Sequence, residues 1–130
     1  MEHEELVRRA IGIAVEKKAR DIEVLDVSER LQIAEHFLLV SVDNRRQAQA
    51  LCAALDAEFK KAGVPKSRIE GQAEGWWILL DFDSLVVHIF QSEAREYYGL
   101  DKLWADARNE TGRFLEMPAP PGRGVAGGGI

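Results

Sequence analysis

The stretch HFLLVSV, His36 to Val42, is apolar at nearly every position. A strand with one wet face alternates apolar and polar side chains, so a run without alternation needs cover on both sides. The chain must therefore supply a sheet and helices to lie against it. WWILLDF (Trp76 to Phe82) and LVVHIF (Leu85 to Phe90) flank Asp83 and Ser84 and read as an antiparallel hairpin. DIEVLDVS (Asp21 to Ser28) sets Ile22 and Val24 on one face, the pattern of an outer, half-exposed strand. The glycines of RIEGQAEG (Arg68 to Gly75) suggest a turn or a short edge segment.

Helical spacing accounts for most of the rest. Leu6, Val7, Ala10, Ile11, Ala14 and Val15 form one stripe over Glu4 to Lys18. Ala48, Leu51, Cys52, Leu55, Phe59 and Ala62 form another, with Asp43 placed to cap its start and Gly63 and Pro65 ending it. Ser92 is expected to cap a short helix over Glu93 to Tyr98, and Leu100, Leu103 and Trp104 extend its apolar face. The expected fold is α/β, a mixed sheet flanked by helices, in one domain over residues 1–113. Residues 117–130, MPAPPGRGVAGGGI, hold three prolines and five glycines, too little bulk to offset the cost of ordering them. A disordered tail over 114–130 is the expectation.

Charge narrows the function. The net charge of −5 opposes a free-standing nucleic-acid binder, which needs a basic face. From Met1 to Ile69 acidic and basic residues number 12 each, whereas Glu70 to Glu116 holds 10 acidic residues against four basic. An acidic surface and a basic partner are the inference. Apolar runs all fall short of the ~20 residues that a spanning helix needs, the opening MEHEEL is not an export signal, and Cys52 is the sole cysteine. These features lead to the expectation of a soluble cytoplasmic protein.

Candidate chemistry is sparse. Asp81 and Asp83 would share a face of an extended strand and could hold Mg²⁺ for a nucleotidyltransferase. That enzyme also needs a phosphate-cradling glycine-serine turn, and the chain offers Ser41-Val42-Asp43-Asn44 instead. Strand-end or partner-facing carboxylates are the default reading. His88, alone in an apolar strand, is either a hydrogen-bonded structural residue or a partner contact. His3, His36 and Cys52 lack metal-ligand spacing, and neither Ser92 nor Cys52 sits in a nucleophile motif. No cofactor, metal or catalytic residue is expected. Trp76 and Trp77 must face opposite sides of their strand, so one can be exposed. Of Tyr97 and Tyr98, one is expected to pack inward with Tyr98 offered outward, beside Glu93, Arg95 and Glu96. Arg45 and Arg46 open the second long helix, at the end where cations are unfavourable, which leaves room for a minor contact with RNA.

Four blocks, ARDIEVLDVS (Ala19 to Ser28), HFLLVSVDNRRQAQAL (His36 to Leu51), RIEGQAEGWWILLDF (Arg68 to Phe82) and LVVHIFQSEAREYYGLDKLWADA (Leu85 to Ala107), resemble the ribosomal silencing factor family, also called Iojap-related. With the first helix the match spans roughly residues 4–107, in order. The chain departs from the family at Val42, where glycine is common, and at Gly99, where an acidic residue is. The resemblance implies a nucleotidyltransferase-like topology without the catalytic motif, and no enzymatic activity. It implies a factor that binds a basic protein on the intersubunit face of the large ribosomal subunit, blocks joining of the small subunit and so represses translation when nutrients are short. Trp77, Asp81, Asp83, His88, Glu93, Arg95 and Tyr98 are the expected partner-binding residues. A Mg-dependent nucleotidyltransferase and a homodimer formed through the aromatic face are the competing expectations.

Overall fold

In the computed structural model, which describes residues 1–31 and 34–115, β2 (His36–Val42) lies inside a six-stranded sheet with all seven residues buried. It runs parallel to β5 (Leu85–Gln91) and antiparallel to β1 (Arg20–Asp26). β4 (Trp77–Asp81) returns antiparallel to β5, and β3 (Arg68–Glu70) forms the edge beyond it. The sheet order is β3-β4-β5-β2-β1-β6. β1 is not outermost as expected, because the two-residue β6 (Arg108–Asn109) pairs with its free side.

The alternation of side chains divides the core in two. Ile22, Val24, Leu38, Val40, Ile78, Leu80, Val87 and Ile89 face α1 (His3–Glu16), α2 (Arg45–Lys61) and α5 (Thr111–Leu115). Leu25, Phe37, Leu39, Val86 and Phe90 face α3 (Ser92–Tyr98) and α4 (Leu100–Leu103), which contribute Ala94 and Leu100. Both sides of β2 are thus covered, as its sequence requires. α3 and α4 are short, however, and they leave Trp77 and Leu79 at the β4 end of their face only half buried.

Helix ends depart from expectation in instructive ways. Asn44, not Asp43, caps α2: its side chain accepts from the Gln47 amide, and Gln47 Oε1 accepts from the amide of Asp43, the residue before the cap. The Asp43 carboxylate instead pairs with Arg20. Ser92 is the first residue of α3 rather than its cap; its hydroxyl accepts from the Arg20 guanidinium at 2.9 Å. At the end of α2, Gly63 at φ 76° donates to Lys60 O while Val64 donates to Phe59 O, a Schellman turn. α1 closes in the same way, with Lys18 at φ 65° and Ala19 donating to Ala14 O. Val15, expected on the buried stripe, is exposed.

The expected boundary after Arg113 falls inside α5, whose Phe114 is buried in the core beside His36. The remainder of the expected tail, from 116 onward, lies outside the described residues. No helix among the described residues is long and apolar enough to cross a membrane.

Candidate functional site

The half-covered face of the β4–β5 hairpin places Trp77, Leu79 and Asp81 on one side, opposite Phe90, His88 and Val86 respectively. Trp77 lies almost flat on Phe90, with ring centroids 5.1 Å apart and planes inclined by 27°. Tyr98, reaching across from α3, closes on the indole at 4.9 Å. The indole Nε1–H donates to His88 Nδ1 at 3.1 Å. His88 itself is 3% exposed and abuts Phe37 at 4.6 Å. Burial pulls its pKa down to about 3, so the ring is neutral at physiological pH and acts as an acceptor at Nδ1. The strand register adds Glu70 and Arg68 of β3 beside Leu79 and Asp81. An aromatic platform with an acidic and polar rim is the result.

Trp77, His88 and Tyr98 are therefore brought together, and Asp81 shares their sheet face. The other expected residues go elsewhere. Asp83 does not continue the alternation with Asp81, because at φ 69° it turns the chain; its carboxylate accepts from the Ser67 hydroxyl at 2.5 Å and its amide donates to Asp81 Oδ1. Both carboxylates therefore help to shape this hairpin turn. Arg95 points away from the platform, toward β1 and β2. Its guanidinium lies 2.7 Å from Glu23 Oε1 and 3.0 Å from Asp101 Oδ2, and it donates to Ser41 Oγ and to the Asp21 carbonyl. Its side chain is mostly buried there. Glu93 is exposed in the first turn of α3. The tyrosines reverse their expected roles in part: Tyr97 is 79% exposed and Tyr98 47%, so neither is buried, and Tyr98 is the one that leans on the platform. Trp76, on the opposite side of β4, is also exposed.

Sequence reasoning missed two clusters. In the first, Glu23, Arg95 and Asp101 share a proton-sensitive network: a hydrogen bond with Asp101, then burial, raises the Glu23 pKa. Burial pushes the Asp101 carboxyl up, but hydrogen bonds from Arg95 and Glu23 outweigh it and hold it below the usual range. In the second, Ser84 Oγ, His3, His36 and Glu110 form a chain of hydrogen bonds, with His3 Nε2 2.7 Å from His36 Nδ1 and His36 Nε2 2.6 Å from Glu110 Oε1. Asp26, His36 and Glu110 have one ligand-type atom each within 4.8 Å of one another. Each of the two histidines already has hydrogen-bond partners at both ring nitrogens, so these bonds serve as a staple joining α1 to β2 and to Glu110, the residue that precedes α5. The partners are 33 and 74 residues apart, and no local motif announces them.

The family model described as "Ribosomal silencing factor during starvation" matches residues 1–123. "Ribosomal silencing factor RsfS" of Halalkalibacterium halodurans is 34% identical over 107 residues, covering 82% of this chain and 92% of the relative. The mouse protein "Mitochondrial assembly of ribosomal large subunit protein 1" is 31% identical over 97 residues, covering 72% of this chain and 42% of its own length. A crystal structure of a Chromobacterium violaceum protein superimposes with a TM-score of 0.77 at 32% identity, covering 81% of this chain and 88% of that one.

Proposed function

Since the chain belongs to the ribosomal silencing factor family, we propose that it docks the Trp77–Tyr98 platform on a basic protein at the intersubunit face of the large ribosomal subunit. Bound there, it blocks the small subunit by bulk and represses translation in the cytoplasm. One observation carries this reading: Trp77, stacked on the buried Phe90 and flanked by the exposed Tyr98, is left half covered beside the half-covered Leu79, whereas β2 at the centre of the sheet is covered on both faces. Aromatic anchors within a polar rim are the anatomy of a protein interface. The acidic excess between Glu70 and Glu116 would speed encounter with a basic surface and set its orientation. The mouse relative's name, which ties that protein to large-subunit assembly, points to the same particle.

The mechanism is steric and involves no catalysis. A nucleotidyltransferase-like topology without the catalytic motif goes with this reading: Asp81 and Asp83 are engaged in their own turn, and Val42 stands where such an enzyme would need glycine. Arg45 and Arg46, exposed in the first turn of α2, supply a minor contact with ribosomal RNA. In free protein the same platform is available to a second copy, and a homodimer formed through it competes with docking.

Cosedimentation with separated subunits tests the proposal. The wild type is expected to pellet with large and not small subunits, and Trp77→Ala to lose about tenfold or more in affinity while keeping its circular dichroism spectrum. Equal pelleting of wild type and Trp77→Ala would show that the platform is not the docking site.

A further inference from the structure

His88 is the residue of the platform whose chemistry docking by exposed rings does not explain. It is buried beneath Trp77, between Phe37 and Phe90. Nδ1 accepts from the indole, which places the ring proton on Nε2. That Nε2–H has no hydrogen-bond partner, and among the described residues it is the single buried side-chain polar atom left so. An orphaned buried donor is unfavourable, and an aliphatic residue at this position would avoid it. What histidine supplies and leucine cannot is the lone pair at Nδ1.

We propose that His88 is a positioning residue for docking, which makes no contact with the partner and instead holds the Trp77 indole in the orientation that the partner meets. The proposal rests on the reading of the Trp77 platform as the docking surface. Stacking on Phe90 at 5.1 Å and a tilted contact with Tyr98 at 4.9 Å restrain the indole, yet packed rings can slide and turn in plane. A directed hydrogen bond from Nε1 removes that freedom. A half-covered tryptophan fixed before encounter loses less entropy on binding, so affinity rises without any new contact. Because burial keeps the imidazole neutral, the acceptor is present throughout the physiological range.

The test is titration of full-length variants against purified large subunits, read beside the indole N–H proton resonance of Trp77. His88→Leu is expected to weaken binding about fivefold, the equivalent of one hydrogen bond, and to shift the indole resonance upfield. His88→Asn, whose Oδ1 stands where Nδ1 stood, is expected to return affinity to within about twofold of the wild type. In a Trp77→Phe background, which has no N–H to orient, His88→Leu should cause no further loss. Wild-type affinity in His88→Leu, alongside a large loss in Trp77→Ala, would overturn the positioning role and leave the docking surface standing. Wild-type affinity in Trp77→Ala as well would mean that the docking surface itself is wrong. Should His88→Leu fail to fold, His88→Asn decides: a fivefold loss with the indole still hydrogen-bonded would overturn the proposal by marking His88 as a direct contact.

Discussion

At the residue scale, His88 makes stability depend on pH in a calculable direction. Its folded pKa of about 3 lies below the ordinary 6.5, so below pH 6.5 the unfolded chain takes up a proton that the folded protein refuses. Its contribution is complete above pH 6.5 and is lost as pH falls toward 3. Between pH 7.5 and 5 the loss is about 2 kcal/mol. Urea titrations at the two pH values should show it in the wild type, with a smaller difference in His88→Leu, and equal slopes in both would refute the assignment. His3, whose pKa is lowered by burial first of all, adds a dependence of the same sign. Lys18 offers an independent check on backbone geometry, since at φ 65° it adopts a conformation that glycine reaches without strain. Lys18→Gly is expected to stabilise the protein by about 0.5–1 kcal/mol, measurable as a raised unfolding midpoint.

At the scale of elements, the turn between β3 and β4 holds the platform in place. Gly71, at φ 84°, has no room for a side chain: a Cβ there would lie 2.1 Å from the Trp77 carbonyl oxygen. Gly71→Ala should therefore displace the start of β4, weaken binding to large subunits about as much as Trp77→Ala does, and lower stability by about 2 kcal/mol or more. Unchanged binding would mean that the platform tolerates a shifted strand. The sequence made β2 legible because burial on both faces leaves an unbroken apolar run, and it made the β4–β5 hairpin legible because two such runs flank a turn. β6 was illegible, since two residues carry no period. α5 was obscured in a similar way, because in five residues only Phe114 and Leu115 are large and apolar.

At the scale of the whole molecule, the relations that matter are the long-range ones. The parallel pairing of β2 with β5 brings His36 beside Leu85, and nothing local in either strand specifies that partner. The same holds for the site. Trp77 and Tyr98 could be singled out as aromatics near acidic residues, whereas Arg95 could not be recognised as internal because its partner Glu23 lies 72 residues away. A charge read along one helix looks solvated until the fold supplies its counter-ions. Docking is also expected to weaken as salt rises from 50 to 300 mM, since the distance over which exposed charges act falls from about 14 Å to about 6 Å in that range. Affinity independent of salt would remove the electrostatic part of the proposal.

The central claim, that occupancy of the large subunit by this chain excludes the small one, is tested most directly by monosome formation. Purified subunits mixed with an excess of the protein at low ionic strength should remain as separate peaks on a sucrose gradient, whereas Trp77→Ala should leave the monosome peak in place. A full monosome peak with wild-type protein bound to its large subunit would contradict the account.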